Sequence, residues 1–125
     1  MDIVITVPKS ELKNIEQEEK WAKGEMGDGG LVECYWQIGR KPKHLRGWSE
    51  LKDDEEDRVY FIHDGMIVNY NVFREFTWDA HCDVTGRDWP GLNLLMETPS
   101  VPVTPPVPMK GFRGFRYIER TKALQ

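Results

Sequence analysis

The sequence predicts an α+β fold: a small mixed β-barrel of five to six strands, with one main flanking helix and a short second helix. Three observations carry that expectation. Residues 58–63 and 66–76 are runs rich in Val, Tyr, Phe and Ile on either side of Asp64-Gly65. An Asp-Gly pair so placed favours a two-residue type I′ turn, whose central residues both need positive φ. One long stretch, residues 11–23, has helical apolar spacing. An aromatic, arginine-rich run, residues 111–119, follows a proline segment and stands ready to close the sheet. A lone hairpin is marginal in water, so the other runs must complete a sheet around it.

Taken in order, residues 2–7 (DIVITV) form a β-branched first strand that Pro8 ends. Ser10 is placed to cap the helix over residues 11–23, and Gly24 to end it. Leu12, Ile15, Glu19 and Ala22 share one face, with Trp21 beside it, while Glu16, Glu18, Glu19 and Lys20 read as a solvated face. Residues 24–30 (GEMGDGG) are a glycine-rich connector without a phosphate-binding ending. In residues 31–38, Val32, Cys34, Trp36 and Ile38 alternate with Leu31, Glu33, Tyr35 and Gln37, and the uniformly apolar set belongs inside. Ser49 caps a single helical turn, and residues 53–57 (DDEED) form a solvated acidic turn.

In the central hairpin, strict alternation puts Met66, Val68, Tyr70 and Val72 on the core face, with Ile67, Asn69, Asn71 and Phe73 opposite. Residues 77–90 read as irregular, and residues 91–97 as a strand. Pro99, Pro102, Pro105, Pro106 and Pro108 make the next segment extended and outside any central ladder. Val32, Cys34, Trp36, Ile38, Val59, Phe61, Val68, Tyr70 and Leu94 are the expected core.

With 125 residues and 39% apolar content, the chain fills one small core, so a single domain over 1–125 is expected. A net charge of −4 excludes uniform coating of nucleic acid by charge, though not a local basic patch. No apolar run spans a bilayer, and residues 1–7 lack the basic lead of a signal peptide. A cytoplasmic protein with reduced Cys34 and Cys82, and no membrane partner, is expected.

Two basic segments carry the candidate chemistry. Residues 39–48 hold Arg40, Lys41, Lys43 and Arg46, with His44 and Trp48. Residues 110–122 hold Lys110, Arg113, Arg116, Arg120 and Lys122, interleaved with Phe112, Phe115 and Tyr117. Aromatic rings stack on bases and guanidinium groups meet phosphates, so this alternation suits single-stranded nucleic acid. Alternation along the last strand puts Arg113, Phe115 and Tyr117 on one face and Phe112, Arg116 and Ile118 on the other, unless Gly114 introduces a bulge. Trp48, Trp78 and Trp89 lie outside the expected strands, as base-stacking rings or as lids. His81-Cys82 with Cys34, His44 or His63 lacks the spacing of a metal site, so no metal and no cofactor are expected.

The run W-Q-I-G-R-K-P-K-H-L and the later R-V-Y-F-I-H-D-G-M-I-V-N-Y resemble the PUA-like superfamily, in particular its ASCH and EVE branches. K-G-F-R-G-F-R-Y takes the place of the closing strand. Gly39, Lys41 and Arg46 stand at the spacing of the ASCH motif Gly-x-Lys-x-x-Glu-x-Arg, with His44 in place of its Glu. The resemblance implies a PUA-like barrel whose cleft binds RNA or modified bases. The expected function is binding of nucleic acid, RNA first, or of a modified nucleotide. Its contacts would come from Arg40, Lys41, Lys43, Arg46, Trp48, Lys110, Arg113, Phe115 and Arg116. One alternative is an ASCH-type hydrolase acting on RNA or a modified nucleoside, with Lys41 and Glu33 as its polar pair. Another is a protein-interaction module that offers the segment 99–108 as a polyproline ligand.

Overall fold

The computed structural model describes residues 1–24, 33–81 and 86–125, with backbone only for Glu18 and Trp21. The expected loop beyond Gly24, Leu31, Val32 and Cys82 lie outside the described residues. The elements are β1 (Asp2–Thr6), α1 (Leu12–Ala22), β2 (Glu33–Gln37), β3 (Arg58–His63), β4 (Met66–His81), β5 (Asp88–Glu97), β6 (Val101–Pro108) and β7 (Phe115–Ile118). Short 3₁₀ turns cover Lys9–Glu11, Trp48–Glu50 and Lys122–Leu124. No helix among the described residues is long and apolar enough to cross a membrane.

The expected PUA-like barrel is not formed. The strands make one open, mixed, seven-stranded sheet in the order β2-β5-β4-β3-β1-β7, with β6 also paired to β4. β7 does not close it: its four residues pair antiparallel with β1 alone. Residues 39–46, which leave β2, lie against the side chains of β7 instead of a paired strand. The sheet is nevertheless curled, since Trp36 of β2 meets Phe61 of β3 edge-on at 5.3 Å. The short second helix is a single 3₁₀ turn.

The central hairpin forms at Asp64-Gly65, with φ of 52° and 79°, the positive pair that a type I′ turn requires. Its faces differ from strict alternation. The ladder slips between Phe61 and Ile62, where Phe61 faces Asn69 and Ile62 faces Ile67, leaving Val68 as an extra residue. This bulge moves Ile67 to the face of Tyr70, while Asn69, Asn71 and Phe73 stay together on the opposite face. Ile67 and Phe73, on opposite faces, are both buried, while Val68 and Tyr70 are half-buried.

Each sheet face carries its own apolar cluster. Ile3, Ile5, Val59, Phe61, Phe73, Leu94 and Met96 pack on one, with Leu12 and Ile15 of α1 over them. Val4, Tyr60, Ile62, Ile67, Val103 and Leu124 pack on the other. Val59, Phe61 and Leu94 are buried as expected, whereas Cys34, Trp36 and Ile38 are half-buried at the edge strand.

Two expected loops are strands. β4 continues to His81 and pairs with β5 from Phe73 onward, through shifts after Phe73 and Trp78 that absorb Arg74 and Asp79. The proline segment joins the sheet as β6, on the same edge of β4 that β5 occupies further along. Its four prolines suit it because β6 has only β4 as a neighbour, so half its backbone needs no ladder partner.

Candidate nucleic-acid interface

The loop after β2 is anchored by its apolar residues and presents its cations. Pro42 and Leu45 are buried, while Arg40, Lys41, Lys43 and His44 are exposed. Polar bonds hold the backbone. The N–H of Arg46 donates to Asp57 Oδ2 at 2.7 Å, the N-terminal ammonium donates to the His44 carbonyl at 2.6 Å, and the His44 N–H donates to Tyr117 Oη at 3.1 Å.

β7 meets this loop through its aromatic face. Phe115 stands opposite Ile5 and Tyr117 opposite Ile3, so both share the face of those residues. The two rings touch edge-on at 5.6 Å between centroids. The Arg40 guanidinium lies 4.9 Å from the Phe115 centroid, and the His44 ring 5.4 Å from that of Tyr117. Lys41 Nζ sits 4.8 Å above the Phe76 ring. Among the described residues, Arg40, Lys41 and Lys43 form no ion pair.

The remaining candidates are placed elsewhere. Arg116 stands opposite Val4, on the other sheet face, with its guanidinium over Phe112 at 4.3 Å. Lys110 and Arg113 are exposed in the connection from β6 to β7, and no contact joins them to Arg40. Arg46 is paired with Asp57 at 3.5 Å and Glu55 at 4.0 Å. Trp48 lies under Arg74 at 3.8 Å, and Arg74 is paired with Glu33. Trp48 also borders a cleft of about 340 Å3 lined by Asp53, Glu55, Glu56 and Glu97, a poor neighbour for phosphate. Glu33 is thus engaged with Arg74, and no contact joins it to Lys41. Of the other tryptophans, Trp89 is buried against Tyr35, while Trp78 is 67% exposed.

The structure therefore joins Arg40 to Phe115 from the expected set and adds His44 and Tyr117, with Lys41 and Lys43 exposed on the same loop. The parity of the last strand already put Tyr117 with Phe115. Nothing in the sequence indicated that the loop would pack against that strand.

A second concavity, of about 40 Å3, lies between α1 and the sheet, and its lining includes Glu19, Trp36, Phe61, His63, Asn69, Asn71 and Ser100. Glu19, expected on a solvated face, is half-buried and accepts from the Ser100 N–H at 3.2 Å and its hydroxyl at 2.5 Å. Burial pushes the His63 imidazole below its ordinary value.

Comparison with models of protein families, with curated proteins and with solved structures finds no match to this chain.

Proposed function

We propose that this protein binds single-stranded nucleic acid, RNA first, along the surface made by residues 39–46 and β7. The observation that carries this reading is the meeting of Arg40 with Phe115 and of His44 with Tyr117, beside Lys41 and Lys43. Cations without carboxylate partners are available to phosphates, and neighbouring rings offer faces or edges to bases. Tyr117 is 36% exposed, which leaves ring surface for a base to cover. The acidic cleft around Trp48 and the net charge of −4 oppose coating elsewhere and favour a confined contact.

The test is fluorescence anisotropy with labelled single-stranded RNA, single-stranded DNA and duplex DNA. Single strands should bind more tightly than duplex, and Arg40→Ala combined with Lys43→Ala should weaken them. No binding to any of the three, or full binding by the double variant, would overturn the proposal.

A further inference from the structure

The cavity behind α1 brings several side-chain acceptor oxygens together. Ser100 has one hydroxyl hydrogen but two acceptors in reach, Glu19 Oε1 at 2.5 Å and Asn71 Oδ1 at 3.0 Å. The Asn71 amide nitrogen donates to the Glu97 carbonyl at 2.8 Å, which fixes its oxygen toward Ser100. With the hydroxyl given to the nearer Glu19, Asn71 Oδ1 receives nothing from it. Asn69 Oδ1 is buried and also lacks a hydrogen-bond partner. A buried acceptor left without a hydrogen bond is costly, so a donor is favoured there.

The cavity also has an unbalanced charge. Glu19 forms no ion pair among the described residues. Trp36 and Phe61 supply aromatic walls, whose electron-rich faces attract cations. Water would supply hydrogens but not positive charge. The cavity, about 40 Å3, fits roughly three waters, or one small head group, at 10–15 Å3 each. It shares Ile15, Glu19, His63 and Asn69 with a groove of about 470 Å3 that runs along α1. Leu12 and Ile15 give that groove an apolar floor, with Glu16, Lys20 and Lys23 along it.

We propose that this cavity binds the ammonium head of a primary alkylamine. The head would donate to Asn69 Oδ1, Asn71 Oδ1 and the Glu19 carboxylate, and the aliphatic stem would lie along α1 beside Ile15. This site is independent of the nucleic-acid surface.

The test is a titration with n-butylammonium chloride, read by NMR at the side-chain amides of Asn69 and Asn71 and the indole N–H of Trp36. Saturable shifts confined to these groups are expected. Tetramethylammonium, which has charge but no N–H, and butyramide, which has N–H but no charge, should each bind about tenfold more weakly, a difference of about 1.4 kcal/mol. Glu19→Gln should weaken butylammonium binding by a similar factor. Should that variant not fold, Asn69→Ser serves in its place with the same expectation. Shifts no larger than those from sodium chloride, equal binding of butyramide, or unaltered affinity in the variant that folds would each overturn the proposal.

Discussion

The Arg40 guanidinium lies 4.9 Å from the centroid of the Phe115 ring, joining the loop after β2 to the last strand of the sheet. The contact presents a cation and an aromatic edge together on a surface where Lys41, Lys43 and Tyr117 are also exposed. A phosphate and its base span such a spacing, so charge and stacking should contribute separately to binding.

Salt distinguishes the two contributions. Arg40→Ala and Lys43→Ala should each flatten the log–log dependence of single-strand affinity on salt by about 0.7. Tyr117→Ala should instead weaken binding at every salt concentration, by about 1–3 kcal/mol if a base covers the ring. Arg116→Ala should leave the slope unchanged, because Arg116 stands on the opposite face. Anisotropy titrations over a salt series check all three, and a slope that responds equally to Arg116 and Arg40 would disprove the assignment of faces.

Local chemistry made part of this fold readable from the chain, and long-range pairing hid the rest. Asp64-Gly65 announced its turn because only a few residue types tolerate positive φ. The apolar period of residues 12–22 and the β-branched run at 2–6 likewise express local constraints. The bulge at Val68 has no such signature, yet a one-residue slip reverses every later face. It moved Ile67 to the face of Tyr70, whereas Phe73, expected outside, is buried because both faces of the sheet carry an apolar cluster. Prolines at 102, 105, 106 and 108 obscured β6, since only the presence of β4 along one side makes that segment a strand. Barrel closure depended on where β7 would pair, and its short run found β1 alone. For the binding surface, the residue types were legible in the two basic segments. Their division between two sheet faces, and the withdrawal of Arg46 and Trp48 toward carboxylates and Arg74, were not.

Asp2 and Arg120 form the best-placed ion pair for a stability test. Arg120 Nε donates to Asp2 Oδ2 at 2.9 Å, and its Nη2 to Oδ1 at 2.8 Å. The Arg58 N–H donates to the same carboxylate at 2.8 Å. The Asp2 side chain is only 5% exposed, so Arg120→Ala strands a buried charge. The loss should be about 2–3 kcal/mol, below the 3–5 typical of fully buried pairs because Arg120 is partly solvated. Adding Asp2→Asn to Arg120→Ala should recover part of it. Urea unfolding of the unaltered protein and the two variants measures this, and a double variant less stable than Arg120→Ala alone would contradict it.

Gly47 is constrained by space. A Cβ added there would stand 2.2 Å from the Arg74 carbonyl oxygen, although its φ of −89° suits any residue. Gly47→Ala must therefore displace β4 near Arg74 or the 3₁₀ turn at Trp48. A loss of about 3 kcal/mol is expected, the upper end for an overpacked site, with a changed tryptophan emission as Trp48 leaves Arg74. Gly39→Ala, which meets nothing within 4 Å, should be nearly neutral when thermal melts of the two variants are compared.

Acid should destabilise the protein in two separable steps. Burial pushes the His63 imidazole below its ordinary 6.5. Between the two values the unfolded chain holds a proton that the folded one does not, so stability falls as pH drops below about 6.5 and levels off under the folded value. Asp57 behaves differently. Burial alone would raise its carboxyl, but hydrogen bonds from the N-terminal ammonium and from Arg46, with the ammonium's charge, outweigh it and hold the group below 3.8. The stability it contributes is complete above 3.8 and is lost as pH falls through the lowered value. His63→Gln should abolish the first step and keep the second, while Asp57→Asn should lower stability at neutral pH and remove the second. Urea midpoints followed downward from pH 7, through 6.5 and on below 3.8, the two ordinary values, resolve both. A first step that persists in His63→Gln would assign it to another group.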